Sequence, residues 1–214
     1  MDEINTIAKK YELFVVEDAA QGVMSTYKGK ALGSLGDFGA FSFHETKNYT
    51  SGGEGGLLLI KDTAYANRAE VMREKGTNRS QFLKGAVDKY TWVDQGSSYL
   101  PSELQAAYLF AQSEFFNEMN EERLRLWGNY QKSFCGNSDF ITPTIPEDCS
   151  HNAHMFYLLC ENENARDDLN LFMKDKGIIA PSHYVPLHSS PAGKKFGEFI
   201  GEDKYTTDLS SRII

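Results

Sequence analysis

Lys47 stands at a position where an amine could do covalent chemistry. It lies in a polar turn between two apolar segments, residues 38–43 and 57–60, which predict short buried strands. Desolvation and nearby cations at the mouth of a sheet can lower the pKa of a lysine, so that its amine attacks a carbonyl carbon and forms a Schiff base. The alternative is a solvated turn lysine without a chemical role. The spacing alone leaves both interpretations open.

A carboxylate follows an earlier predicted strand. Residues 13–16 are apolar, and Asp18 comes just after their carboxyl end. Ligands of open α/β sheets gather outside the carboxyl ends of the strands, where a carboxylate can face a cationic ring nitrogen. Alternatively, Asp18 caps the turn or helix that comes next.

Two segments carry a resemblance to a known family. The run FSFHETKNYTSGGEGG, residues 41–56, resembles the active-site signature of the pyridoxal-phosphate sugar aminotransferases, the DegT/DnrJ/EryC1/StrS family. The run VEDAAQ, residues 16–21, is similar to the second signature of that family, and the likeness extends over nearly all 214 residues. It implies an α/β fold of the aspartate-aminotransferase type (fold type I).

The resemblance implies pyridoxal 5′-phosphate as the cofactor and two catalytic residues. Lys47 is expected to hold the cofactor as a Schiff base and then to act as general base and acid. Asp18 is expected to keep the pyridinium nitrogen protonated, which makes the ring an electron sink. Gln21 is placed near the phenolic oxygen, and Ser42 is placed at the phosphate. For Ser42 the alternative is a bond to nearby backbone.

A further cofactor contact is expected across a homodimer. The family commonly has a Gly-x-Asn-Tyr-Arg pattern that reaches the phosphate of the neighbouring subunit, and residues 96–100 here read GSSYL. Ser98 takes the position of the asparagine, so a hydroxyl would replace the amide in that contact.

Three residues are expected on the substrate side. His44 lies within the lysine signature, and His183 and Tyr184 lie in the run HYVPLH, which is similar to the substrate-side loop of the family. A single histidine near a site is also compatible with a structural role.

The implied reaction is amino transfer, with glutamate as donor, to the 4-keto group of a dTDP-6-deoxyhexose. The product would be a 4-amino-4,6-dideoxy sugar nucleotide for surface polysaccharide of the enterobacterial common antigen type. Alternatives are transfer at C3 or on another nucleotide, and an inactive fragment or interaction module of the same fold. A dinucleotide-binding protein has less support, because residues 52–56 lack the glycine spacing of that fingerprint.

The remaining pattern predicts the elements that position these residues. Apolar periodicity and turn residues indicate a helix at 2–11, a hairpin excursion at 22–37, a helix at 62–75, an irregular segment at 77–100, one long helix at 101–134, a strand at 155–160, a helix at 165–176 and a strand at 178–180. We interpret residues 1–135 as the later half of a large cofactor-binding domain, truncated at its N-terminus, and 136–214 as an incomplete α+β small domain.

Composition narrows the class of protein. The chain has 22 basic and 30 acidic residues and a net charge of −8, which argues against nucleic acid or an anionic membrane as partner. Cys135, Cys149 and Cys160 form neither a metal motif nor a disulfide framework, which favours a reducing cytoplasm. His151 and His154 have no third ligand nearby in the sequence, so no metal site is predicted.

Overall fold

The computed structural model describes residues 1–182 and 184–214. The described helices are α1 (Asp2–Lys10), α2 (Ala66–Arg73), α3 (Arg79–Leu83), α4 (Glu103–Ser113), α5 (Phe116–Phe134), α6 (Glu163–Asp175), α7 (Pro191–Phe196) and α8 (Thr206–Arg212). The described strands are β1 (Val16–Asp18), β2 (Thr26–Tyr27), β3 (Lys30–Ala31), β4 (Phe38–Ser42), β5 (Gly56–Ile60), β6 (Phe140–Ile141), β7 (Cys149–Ser150) and β8 (Leu159–Cys160).

The chain divides into two compact units. The first contains Met1–Arg123 and Ile145–His154, and the second contains Leu124–Thr144 and Met155–Ile214. The segment 145–154 therefore belongs to the first unit, although residues 124–144 separate it from the rest of that unit in the sequence. The division into domains 1–135 and 136–214 stays a prediction about the complete fold.

A three-stranded sheet in the first unit has the order β1–β4–β5. β1 and β4 run parallel, with Asp18 opposite Ala40, and β4 pairs antiparallel with β5. The strands predicted at 38–43 and 57–60 are therefore present, but the second is not buried as predicted, since Leu57 is 49% and Leu58 is 52% exposed. The first predicted strand is shifted: pairing begins at Val16, not at residue 13, because the amide of Val15 donates to the Asp37 side chain at 2.8 Å instead of to a strand.

Glu17 ties β1 to the turn that precedes β4. Its carboxylate accepts hydrogen bonds from the backbone amides of Gly33 (2.8 Å), Leu35 and Gly36. Three amides on one carboxylate fix the path of this turn. In the signature VEDAAQ, Glu17 therefore has a structural role beside the predicted site residue Asp18.

The predicted hairpin excursion is confirmed. β2 and β3 pair antiparallel, with Lys28 (φ 50°) and Gly29 (φ 73°) in the turn between them. β7 pairs with β2 on its other side, with Thr26 opposite Ser150. This pairing places the segment after β7 within the first unit, beside the loop that follows β1.

The prediction of one long helix at 101–134 is wrong, because the structure has two helices there. α4 begins with a capping box in which Ser102 and Gln105 bond each other's backbone amides. It ends at Ser113, whose hydroxyl donates to the carbonyl of Phe110 at 2.7 Å. A serine that bonds back into its own helix competes with the helical pattern and favours a bend or an end.

The structure differs from the prediction at two places between residues 62 and 100: the first helix is shorter than predicted, and the segment after it contains a helix that was not predicted. The helix predicted at 62–75 is a 3₁₀ turn, Thr63–Tyr65, followed by α2. The segment 77–100, predicted to be irregular, includes the short helix α3. Asn78 holds this segment together, since its side-chain oxygen accepts from the amide of Thr91 at 2.7 Å.

The second unit has an apolar core. Leu158, Cys160 and Ile214 are buried, and aromatic and aliphatic side chains pack around them from α5, β6 and α6, including Phe134, Phe140, Phe156, Leu169 and Met173. The strand predicted at 155–160 is shorter, since only Leu159 and Cys160 pair, with β6.

No strand forms at residues 178–180, which corrects the prediction for that stretch of the described chain. The amide of Ile178 donates to the carbonyl of Met173 at 2.9 Å, so it closes the C-terminus of α6 and does not enter a ladder. The side chain of Ile179 is 91% exposed, whereas a buried strand would cover it.

Candidate active site

The parallel pairing of β1 and β4 sets the location of the site. Because both strands run in the same direction, their carboxyl ends, at Asp18 and Ser42, lie at the same edge of the sheet. Ligands bind at this edge in open α/β sheets. The turn after β4 carries Lys47, and the loop after β1 carries Gln21.

Three of the predicted site residues line one pocket. Gln21, Ser42 and Lys47 contribute to its wall, together with Ala20, Val23, Asn48, Tyr49, Asn152 and His154. The amine, the hydroxyl and the amide that the resemblance assigned to a single cofactor are thus brought together.

The lysine turn has a defined backbone. The amide of Lys47 donates to the carbonyl of His44 at 2.9 Å, and the side chain of Lys47 is half-buried. Ser51 holds the far side of the turn, with its hydroxyl within 3.1 Å of the Phe43 carbonyl and 2.8 Å of the Glu54 carbonyl. A Cβ at Gly55 would lie 2.6 Å from that hydroxyl, so only glycine allows this close packing.

Asp18 and Ser42 each make the local hydrogen bond that was considered as the alternative to a role in cofactor binding. Asp18 Oδ1 accepts from the amide of Ala20 at 3.2 Å, which is a turn-capping contact, and the residue is exposed. Ser42 Oγ accepts from the amide of His44 at 3.3 Å. Ser42 also lines the pocket, whereas Asp18 is not among the described residues of its wall.

His44 makes local polar contacts. Its Nδ1 lies 2.9 Å from Thr46 Oγ1, and its Nε2 lies 3.7 Å from a carboxylate oxygen of Glu54. Within the described chain, His44 does not line the pocket. Its assignment to the substrate side stays a prediction.

The other predicted contacts lie elsewhere in the chain. Ser98 is exposed and pairs with Glu74 in an isolated antiparallel bridge, which fixes its backbone in the first unit. Tyr184 belongs to the second unit, and its side chain is 86% exposed. His183 lies outside the described residues. The roles assigned to these three residues stay predictions.

The pocket also has a polar wall that the sequence reasoning missed. Asn152 is buried, and its amide nitrogen donates to the carbonyls of Gln21 (2.7 Å) and Val23 (2.8 Å). Its side-chain oxygen accepts from the amide of His154 at 3.1 Å. Asn152 thus fastens residues 151–154 to the loop after β1. Its buried amide, which needs several partners, was the available signal, but those partners lie more than 120 positions away.

Arg123 supports the same wall from α5. One of its terminal nitrogens donates to the carbonyls of Ala153 (3.1 Å) and His154 (3.0 Å). Ala153 has a positive φ of 51°, a conformation that is uncommon for a residue with a Cβ. Burial lowers the pKa of His151, which favours its neutral form. His154 lines the pocket, whereas His151 accepts from the nearby amide of Ala153 at 3.2 Å. Among the described residues no cluster of three or more metal-ligating side chains is present.

Tyr49 closes the pocket beside Lys47. Its side chain is 1% exposed, and its ring packs on Phe116 with the centroids 4.1 Å apart. The hydroxyl lies 3.4 Å from Asn120 Oδ1, and burial raises the pKa of Tyr49 above its ordinary value. The tyrosine therefore contributes a neutral, immobile wall.

Comparison with known proteins shows the family to which the chain belongs. The model of the DegT/DnrJ/EryC1/StrS aminotransferase family matches residues 1–214, so the chain belongs to this family. The spore coat polysaccharide biosynthesis protein SpsC of Bacillus subtilis is 34% identical over 205 residues, which are 92% of this chain and 52% of that protein. The dTDP-3-amino-3,6-dideoxy-alpha-D-galactopyranose transaminase of Aneurinibacillus thermoaerophilus is 32% identical over 194 residues, 90% of this chain and 50% of that protein.

A solved structure extends the likeness to the fold. The Streptomyces venezuelae protein DesV, in complex with a ketimine intermediate, is 27% identical, with a TM-score of 0.84, and the match covers all of this chain and 54% of DesV. The predicted fold class, α/β of the aspartate-aminotransferase type (fold type I), is confirmed. The chain spans about half the length of the curated relatives it matches. In the described part of the chain, every helix is too short or too polar to cross a bilayer.

Proposed function

We propose that this chain carries the site of a pyridoxal-phosphate-dependent aminotransferase that acts on a nucleotide sugar. The observation that supports this most is the pocket in which Lys47, Gln21 and Ser42 meet at the carboxyl edge of β4. Family membership supports the class of reaction, and the relative from Aneurinibacillus carries the name of a transaminase of a dTDP-linked amino sugar.

The chemical groups at this edge fit the cofactor. An amine (Lys47), a hydroxyl (Ser42) and an amide (Gln21) share the pocket wall, and a carboxylate (Asp18) ends the adjacent parallel strand. They match an aldehyde carbon, a phosphate, a phenolic oxygen and a pyridinium nitrogen, respectively. When bound, pyridoxal phosphate supplies an electron sink that stabilises negative charge on the α-carbon of the amino donor.

The protein's own residues would divide the work as follows. Lys47 Nζ would hold the aldehyde carbon of the cofactor and, once released, take the proton from the α-carbon of the donor. The Asp18 carboxylate would hold the proton of the pyridinium nitrogen. Tyr49 would restrict water on one side of the pocket, since its ring is buried against Phe116.

For the substrate, we propose a dTDP-4-keto-6-deoxyhexose, with glutamate as the amino donor. The motifs at residues 16–21 and 41–56 resemble those of a dTDP-4-amino-4,6-dideoxygalactose transaminase, which suggests a role in surface polysaccharide of the enterobacterial common antigen type. A cytoplasmic homodimer, in which Ser98 contacts the phosphate of the neighbouring subunit, belongs to this proposal. His44, His183 and Tyr184 would face the sugar.

Transfer at C3 is the second candidate, because the relative from Aneurinibacillus is named for a 3-amino sugar. A panel of dTDP-linked and GDP-linked 3-keto and 4-keto sugars, each offered with glutamate, separates these specificities by the product formed. Amination of the dTDP-4-keto sugar alone would support the first assignment, and amination at C3 would replace it.

The central experiment is absorption spectroscopy of the purified chain with added pyridoxal phosphate, followed by borohydride reduction and mapping of the modified lysine. We expect a visible band of protein-bound cofactor and its attachment to Lys47. Lys47→Ala should abolish both, whereas Lys61→Ala, at an exposed lysine after β5, should retain them.

A folded chain without the band would favour the alternative of an inactive fragment or interaction module of this fold. Attachment to another lysine, with Lys47→Ala still showing the band, would refute the assignment of Lys47.

A further inference from the structure

Asn48, directly after the site lysine, makes contacts that no motif predicted. The residue is 9% exposed and lines the pocket with Lys47. Its Nδ2 lies 2.9 Å from the backbone carbonyl of Asn152, and its Oδ1 lies 3.0 Å from Nδ1 of His154. These partners lie 104 and 106 positions further along the chain.

The orientation of the Asn48 amide follows from its first partner. A backbone carbonyl only accepts hydrogen bonds, so the group that faces Asn152 has to be the NH₂ of the amide. The reverse orientation would bring two oxygens together in a buried setting, which costs the desolvation of both without a bond. Oδ1 of Asn48 therefore faces His154.

This orientation determines where His154 carries its hydrogen. Oδ1 of Asn48 can only accept, so Nδ1 of His154, 3.0 Å away, has to donate. In a neutral imidazole one ring nitrogen donates and the other accepts, and the bond made by one nitrogen sets the role of the other. With the hydrogen on Nδ1, Nε2 is the accepting nitrogen.

The backbone around His154 is held independently of this bond. Its amide donates to Asn152 Oδ1 at 3.1 Å, and its carbonyl accepts from Arg123 at 3.0 Å. The main chain of His154 therefore keeps its place when the Asn48 side chain is changed. A change in the ring tautomer can then be separated from a loss of structure.

We propose that Asn48 is a positioning residue of the lysine pocket, which holds the His154 ring with its hydrogen on Nδ1, so that Nε2 is the accepting nitrogen whenever the ring is neutral. The tautomer itself follows from the contacts of this chain alone.

The test is nitrogen NMR of the full chain labelled with ¹⁵N-histidine, which reports the tautomer of each imidazole. The measurement is made at a pH where the His154 ring is neutral, and His154→Gln identifies its signals. We expect the protonated-nitrogen shift at Nδ1 and the unprotonated shift at Nε2. Protonation of Nε2 alone in the wild type would overturn the proposal.

Variants distinguish positioning from packing. Asn48→Ala, which removes the accepting oxygen, should lose the preference for Nδ1–H. Asn164→Ala, at an exposed position of α6, serves as the matched control with an unchanged spectrum. If Asn48→Ala folds and keeps the wild-type tautomer, the assignment of Asn48 fails.

The outcome does not depend on catalysis. If Asn48→Ala does not fold, the wild-type spectrum still decides between the two tautomers. If the tautomer is as expected but the chain shows no cofactor band, the proposed function fails and the positioning role stands. If the band forms on Lys47 but His154 carries its hydrogen on Nε2, the positioning role of Asn48 fails and the proposed function stands.

Discussion

The lysine pocket of the first unit and the core of the second unit are stabilised by different interactions. The pocket wall depends on polar side chains, and its bonds join distant parts of the chain, as between Asn48 and Asn152, 104 positions apart. The core around Leu158 and Cys160 is apolar, and α5, β6 and α6 contribute ring and methyl contacts to it.

This difference has a consequence for how each region responds to substitution. A buried polar group needs its specific partner, because an unmade hydrogen bond leaves the partner desolvated. An apolar core needs volume and accepts other residues of similar size. The pocket should therefore be sensitive to single-atom changes that the core would accept, and three predictions test this, from the largest expected effect to the smallest.

Asn152→Ala should have the largest effect. It removes the bonds to the carbonyls of Gln21 and Val23 and to the amide of His154, at 2.7, 2.8 and 3.1 Å. Since the buried Asn152 side chain makes three hydrogen bonds that are lost together, we expect a loss of about 4 kcal/mol in the free energy of unfolding. Urea unfolding followed by circular dichroism measures it.

The same measurement on Asn152→Asp sharpens the point. This variant keeps the volume and the bond to His154 but sets a carboxylate oxygen against the two carbonyls, so it should lose at least as much stability as Asn152→Ala. A loss well below that of Asn152→Ala would contradict the polar account. No loss in either variant would contradict the account.

Leu158→Ala should destabilise the core of the second unit by about 3 kcal/mol, because it removes buried methyl groups and leaves a cavity. Leu158 is 9% exposed, whereas Leu187 is 84% exposed. Leu187→Ala is the matched control and should change the free energy of unfolding by less than about 0.5 kcal/mol.

Leu158→Met completes this test. Because it nearly conserves volume, it should recover most of the stability lost in Leu158→Ala. If Leu158→Met and Leu158→Ala were equally destabilised, the core would require a specific shape, and the contrast with the pocket would fail.

The smallest effect concerns pH and a polar contact of the second unit. The Thr207 hydroxyl donates to Asp203, and this bond, with backbone amides and the neighbouring His188, lowers the pKa of Asp203 below its ordinary value. Because the folded-state pKa is the lower one, the stabilisation is complete above the unfolded-state pKa of about 3.9. It is lost as the pH falls through the folded-state pKa.

Urea midpoints measured between about pH 2 and pH 6 should show this loss, and Asp203→Asn should remove it. Thr207→Val, which takes away the hydroxyl donor, should narrow the pH range over which stability is lost. A wild-type curve that matches Asp203→Asn throughout would show that the contact contributes nothing measurable, as many exposed ion pairs do.

Much of the local structure could be predicted from the sequence. The strands of residues 38–43 and 57–60 were recognisable from apolar runs bounded by turn residues, and the hairpin between β1 and β4 from its glycines. Two of the errors fall at helix ends. The Ser113 hydroxyl bonds back into α4 where that helix ends, and the backbone amide of Ile178 closes α6 instead of entering a strand.

Only the site residues that lie in short sequence motifs could be predicted. Lys47, Gln21 and Ser42 lie in two short motifs whose order and separation resemble a family, and the structure brings these residues to one pocket. Asn152 and His154 line the same pocket, but their partners lie more than 100 positions away. No local pattern marks such partners.

The amino-acid sequence by itself determined the lysine in the turn between two apolar segments, which form β4 and β5, and the membership in an aminotransferase family. Only the tertiary structure decided that residues 151–154 stand beside Lys47 and that Asn48 faces His154. The physical reason is that strands and turns follow from the preferences of neighbouring residues. A buried polar wall depends instead on which distant donors and acceptors the completed fold places within 3 Å of each other.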